Sequence, residues 1–219
     1  MTALFKPLLA GATARDRALA CLAATIGIAG MAIACALLPT GAAPLIVAPM
    51  GASAVLLFAV PASPLAQPWP VVGGNVVSAL VGIAVAHAIG TGPLAAGVAV
   101  GLAIGAMSLA RCLHPPGGAA ALPAVIGGPA VTSAGWSFAV VPVAANALAL
   151  LATGWAFHRL SGRSYPHRPV PAPRPRFAPE DLDVALERAG EAFDIAREDL
   201  EQLLAAAEAA ADRRSGKRR

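Results

Sequence analysis

Charge is what this sequence has least of. Only 13% of its 219 residues are charged and 5% are aromatic, whereas a soluble domain carries about a quarter charged residues. Between Arg17 and Arg159 lie 141 residues, and the one permanent charge among them is Arg111. Carboxylates are absent from that block: Asp16 precedes it, and the other eleven acids fall between Glu180 and Asp212. A soluble core cannot exclude charge for so long, because its outer face must meet water; a bilayer segment can. At about 1.5 Å per helical residue the block reaches roughly 210 Å, about seven crossings of a 30 Å hydrocarbon core before loops are subtracted. Four to six crossings are expected.

The other absences exclude further classes. Three cysteines, Cys21, Cys35 and Cys112, make neither a disulfide framework nor a zinc ligand set. There is no His-Glu-x-x-His, no paired carboxylate and no nucleophile–base–acid set, so neither an enzyme nor a cofactor is expected. A carboxylate proton relay is excluded, which leaves His114 as the proton carrier of the block. The basic residues (Lys6, Arg15 and Arg17 before the block; Arg159, Arg163, Arg168, Arg174 and Arg176 after it) have no interleaved aromatics for base stacking, which argues against nucleic acid. They read as topology and place both termini in the cytoplasm. The first apolar run is too long for a signal peptide and reads as a retained span.

What is present is apolar and periodic. The sequence predicts an all-α, polytopic membrane bundle with four full transmembrane helices: Ala18–Leu38, Val71–Ile89, Leu94–Ala110 and Gly135–Leu160. Two shorter Pro/Gly-broken segments, 44–60 and 115–131, cross or re-enter. The organisation is a cytoplasmic segment 1–17, a duplicated transmembrane domain 18–160, a Pro/Arg-rich linker 161–179, an acidic amphipathic helix 180–212 and a basic tail 213–219. Duplication is read from order and spacing. A helix, a Pro-led broken segment and a helix recur, with Asn75 and His87 in the first half and Asn146 and His158 in the second, twelve residues apart each time. Matching broken segments in duplicated halves are the usual sequence pointer to a transport site. In 180–212, Leu182, Leu186, Ala189, Phe193, Ala196, Leu200, Leu203, Ala207 and Ala210 form an a/d stripe suited to self-association or to a partner helix.

The candidate site follows from the broken segments. Proline is favoured at the first helical position, so Pro49 and Pro115-Pro116 read as helix starts near or within the membrane. Gly51, Ala52 and Ser53, like Gly117, Gly118 and Ala119, lack bulk, so backbone N–H groups there can face an anion. Arg111 supplies charge in this reading, or else merely obeys the positive-inside rule. His114 donates to an anion, carries a proton or caps a helix. Asn75 and Asn146 bind ligand or satisfy backbone freed by the broken helices. The competing role for the prolines and glycines is a hinge with close helix packing. His87 and His158 are assigned to the interface.

Arg111-Cys112-Leu113-His114-Pro115-Pro116-Gly117-Gly118-Ala119-Ala120-Ala121-Leu122 resembles the signature of the HPP family of integral membrane proteins. Ala48-Pro49-Met50-Gly51-Ala52-Ser53-Ala54-Val55 and Gly74-Asn75 resemble its other recurrent segments, and the similarity covers roughly residues 15–160. The resemblance implies a four-spanning protein and, from plant chloroplast and cyanobacterial members, nitrite transport. Phe177–Leu204 resembles the acidic helix that in many bacterial members precedes paired CBS domains, which are not expected here. Three readings follow: a carrier or channel for a small anion such as nitrite, a membrane enzyme (disfavoured), and a membrane anchor whose C-terminal helix recruits a partner. The expected surroundings are the lipid bilayer of a bacterial inner membrane.

Overall fold

A computed structural model describes residues 13–36, 47–170 and 175–216. Lys6, the end of the first expected span at Leu37-Leu38, the start of the expected segment 44–60, Arg174 and Lys217–Arg219 lie outside them. Among the described residues the regular structure is helical: α1 (Ala14–Ala36), α2 (Pro49–Ala59), α3 (Asn75–Ile89), α4 (Pro93–Leu109), α5 (Pro115–Ile126), α6 (Pro129–Ala134), α7 (Ala145–Leu160), α8 (Pro179–Ala189) and α9 (Arg197–Gly216). A π-helical turn precedes α3 at Pro70–Gly74 and another precedes α7 at Ala139–Ala144, each continuous with the helix that follows. Proline, with no N–H to lose, opens α2, α4, α5, α6 and α8.

Among the described residues, three helices are long and apolar enough to cross a membrane: Ala14–Ile33, Pro70–Ile89 and Ala139–Leu160. The expected fourth, α4, has 17 residues, about 26 Å at helical rise. Gly92, at φ 124°, turns the chain immediately before it, and the capped end at Arg111 stops it. At 11 and 12 residues, α2 and α5 are about 17 Å long, half-helices by bilayer standards.

The chain divides into two units, and the first holds α1 to α7. Within it, α3 packs on α4 and α5, while α7 packs on α1 and α2. The two Pro-led halves are therefore interlocked, each closed by the other's last helix. Small residues permit the close approach. A Cβ on Gly82 would stand 2.1 Å from the Ala121 carbonyl oxygen, and one on Gly74 would stand 2.5 Å from the His114 Cβ. Gly74, Ser78 and Gly82 thus form a stripe at spacing four against α5, the usual membrane solution where helix backbones must touch. On α4 the buried stripe is Ala95, Ala99, Ala103 and Met107.

Four contacts fix which ends lie together. Arg163 pairs with Asp16. Tyr165 Oη donates to the Ala66 carbonyl at 2.8 Å, and Trp69 Nε1 to the Ala110 carbonyl at 3.1 Å. His114 Nδ1 lies 2.8 Å from the Leu65 carbonyl. The start of α1, the α2–α3 connection, the ends of α4 and α7 and the start of α5 therefore share one end. Arg111 belongs to that end, with Arg159 and Arg163. Helix α5 does not turn back: its Ala124 lines a cavity with His87 of the far end.

The second unit comprises 62–64 and residues from 167 onward. The single helix expected over 180–212 is two. Gly190, left-handed at φ 65°, ends α8, and α9 starts at Arg197. The a/d stripe is interrupted accordingly: Phe193 and Ala196 fall in the connection, and Phe193 is exposed. Arg197 bridges the break through Asp183 at 2.8 Å and the Pro179 carbonyl at 2.9 Å, and Asp183, with Glu201 and Glu198, holds its guanidinium above the ordinary range.

Candidate functional site

The residues singled out by sequence divide into a buried group and a peripheral one. Ser53 of α2, Asn75 of α3 and His114 at the N-cap of α5 are wholly buried and hydrogen-bonded in series. Asn75 Nδ2 donates to the Val71 carbonyl at 2.8 Å and to Ser53 Oγ at 3.3 Å. Ser53 Oγ lies 2.9 Å from His114 Nε2. The direction follows from donor arithmetic. Nδ1 of His114 faces the Leu65 carbonyl, which only accepts, so Nδ1 carries the proton and Nε2 of the neutral ring accepts from Ser53. Hydrogen bonds therefore run Asn75 → Ser53 → His114 → Leu65.

Local chemistry explains the placement. The residue before proline is pushed to extended backbone, and His114 sits at φ −144°, ψ 108° before Pro115. Its ring can then reach back to the α2–α3 connection. Asn75 sits where the π-helical turn passes into α3, and its amide takes the Val71 carbonyl within that turn. Ser53 lies six residues before the end of α2, about 9 Å along the helix. Two buried atoms on this face of α3 have no partner, Asn75 Oδ1 and Ser78 Oγ. Unsatisfied polar atoms in an apolar interior cost on the order of 1–3 kcal/mol each, and native structures keep few of them without a purpose.

Two of the backbone donors that sequence assigned to a ligand, those of Gly51 and Gly117, are already taken. In α2, Met50 N donates to the Val47 carbonyl at 3.0 Å and Gly51 N to that of Ala48 at 3.1 Å. In α5, Pro115 and Pro116 have no N–H at all, and Gly117 N is taken by the His114 carbonyl at 2.8 Å. Gly117 packs instead: a Cβ there would meet the Gly74 carbonyl oxygen and Met107 Sδ, each at 2.8 Å. Pro49 and Pro116 are buried; Gly51, Ala52, Pro115 and Ala119 are exposed, and Gly118 is half-buried.

Arg111 stands outside the buried group. It is exposed, at φ 54°, and ends α4 with a double bond pattern: its own N–H to the Ser108 carbonyl at 3.1 Å and the Cys112 N–H to that of Met107 at 2.9 Å. This is a Schellman ending, in which glycine usually takes the left-handed place. Asn146 is buried in α7 beside Ala147, the counterpart of Asn75 after the second π turn. The paired histidines diverge. His87 is exposed and stacked on Trp136, but His158 is fully buried, its Nε2 2.8 Å from the Leu57 carbonyl. The interfacial assignment of His158 is thus corrected: Phe58, Phe157 and Tyr165 enclose it. Sequence reading missed Ser78, although its spacing of four from Gly74 and Gly82 was there to see. The carbonyls of Leu57 and Leu65 left no signal.

The family described as HPP, transmembrane region, matches residues 10–166. Two transmembrane proteins of Dictyostelium discoideum are each 40% identical over 120 residues, 52% of this chain. The match covers 42% of one and 38% of the other, so the chain spans about two fifths of the relatives it matches. No solved structure matches the chain.

Proposed function

The chain belongs to the HPP transmembrane-region family, and from that premise we propose that it is a transporter or channel for a small inorganic anion, nitrite-like in size. The observation that carries this reading is the series Asn75–Ser53–His114. Three polar side chains from three separate elements are buried together in a block without a carboxylate. Intramembrane ionisable residues are costly and are usually functional. In the proposal the solute passes this series, His114 exchanges protons when needed, and Arg111 at the mouth gathers anions. The setting is a bacterial inner membrane with both termini cytoplasmic, and no enzymatic step is assigned.

A second reading, a membrane anchor whose C-terminal helices recruit a partner, is favoured by one observation. The Gly51 and Gly117 N–H groups are taken by backbone carbonyls, and Gly117 is committed to packing. Flux into proteoliposomes separates the two. Nitrite, nitrate, formate and chloride entry is measured against protein-free vesicles and normalised to inserted protein. The transporter reading expects protein-dependent flux that Asn75→Leu reduces at least tenfold and Arg111→Ala reduces substantially. Absence of flux for all four anions favours the anchor.

A further inference from the structure

At the end of α3 remote from His114, a cavity of about 170 Å³ is lined by His87, Thr91, Ala124, Val131, Thr132 and Gly135, among others. The His87 ring stacks on Trp136, with centroids 5.7 Å apart and planes at 21°. Stacking holds the ring by its face and leaves its edge nitrogens free to donate. Thr132 spends its hydroxyl proton on the Pro129 carbonyl at 3.1 Å, which leaves Thr91 as the hydroxyl donor of the lining.

The electrostatic argument comes from the whole block. From Ala18 to His158 the titratable side chains are Cys21, Cys35, His87, Arg111, Cys112, His114 and His158. None belongs to α4, α5 or α6, the elements that surround His87, and no acid is among them. Histidine changes charge between about pH 5 and 8. An anion entering the cavity would therefore meet His87 with no carboxylate of this block competing for the ring. A cavity of about 170 Å³ has room for several waters and so for a small ion. Towards Ser78, the Gly82–Ala121 backbone contact closes the way.

We propose that this cavity binds a small monovalent oxyanion, held by protonated His87 and the Thr91 hydroxyl. The site would be a vestibule at the opposite end from Arg111. The inference takes its ligand class from the transport reading, but it is tested by binding alone.

Trp136 reports on the site directly. With Trp69→Phe and Trp155→Phe, it is the remaining tryptophan of three. Sodium formate is titrated against sodium gluconate at constant ionic strength, in detergent, with fluorescence recorded at pH 5.5 and pH 8. A saturable change is expected with formate at pH 5.5, at least fivefold weaker at pH 8, lost in His87→Asn and weakened in Thr91→Val. An equal response to gluconate, an equal response at pH 8, or a response that survives His87→Asn overturns the proposal. Nanodiscs of phosphatidylcholine with and without phosphatidylglycerol decide the source of the anion. Loss of the formate response only when the anionic lipid is present assigns the site to a headgroup and overturns the solute reading. Formate binding without flux sinks transport and leaves this site standing; flux without formate binding does the reverse.

Discussion

Single atoms set the tolerances of this molecule. Gly82 has no room for a methyl, because the Ala121 carbonyl oxygen would lie 2.1 Å from it, whereas Gly97 on α4 has open space. Gly82→Ala should cost about 1–3 kcal/mol by overpacking, and Gly97→Ala should be neutral or gain up to about 1 kcal/mol; thermal unfolding in detergent compares them. Arg111 makes the opposite case. A non-glycine residue in the left-handed place costs about 1 kcal/mol, so Arg111→Gly should raise stability by about that much. In the transport reading it should lower flux at the same time, and a gain in both would remove Arg111 from the path. Tyr165, the sole tyrosine, gives a pH test outside the membrane spans. Burial holds its phenol well above the ordinary range. The folded state therefore resists ionisation while the unfolded chain loses its proton near pH 10. Stability from this group is complete below that pH and declines as pH rises beyond it. Tyrosinate absorbance at 295 nm should accordingly appear together with unfolding, and a free titration near pH 10 in folded protein would contradict the burial.

At the scale of elements, the half-helices α2 and α5 explain how a polar series can sit inside an apolar block. Each begins with proline, and each brings one polar side chain, Ser53 or His114, to the end where α3 starts. Ser53→Ala removes the donor to His114 Nε2 and should destabilise by about 1–3 kcal/mol. Ser53→Thr keeps a hydroxyl and should restore most of that loss. Equal unfolding midpoints for wild type and Ser53→Ala would argue that the bond carries little weight. Sequence reading located both half-helices from Pro49 and Pro115-Pro116, yet assigned their first N–H groups to a ligand. Pro115 and Pro116 carry no such donor, and Gly51 and Gly117 close theirs in tight turns. The C-terminal segment teaches a similar lesson. Heptad spacing survives a helix break, so periodicity alone read α8 and α9 as one helix, while Gly190 decided otherwise.

For the molecule as a whole, the shared end fixes a pattern of exposure. In a cysteine-free background, single cysteines at Arg111 and Arg163 should be labelled from the same side of the membrane by an impermeant maleimide, and one at Thr91 from the other. Labelling of positions 111 and 163 from opposite sides would refute the arrangement of α3 and α4. The half-exposed tryptophans fit it: Trp69 and Trp155, the latter under Arg159 at 5.5 Å, lie towards the end with the arginines, and Trp136 towards the other. Indoles at two levels are what two membrane interfaces favour.

The absence of charge from Ala18 to His158, Arg111 apart, determined that the chain is membrane-bound, and unbroken apolar runs of about twenty residues, longer than a barrel strand needs, made it helical. The family signature around His114, the Pro-led half-helices and the recurrence of Asn and His were also legible, since each depends on residue type and spacing along the chain. Tertiary structure alone decided which of those residues meet. The twelve-residue spacing promised equivalent histidines, but interlocking of the halves buried His158 against Leu57 and left His87 beside a cavity. Small residues at Gly74, Ser78 and Gly82 could have served a ligand or a neighbouring helix. The approach of α5 to within a methyl's width chose the helix, because burial and hydrogen-bond partners depend on contacts between segments far apart in sequence.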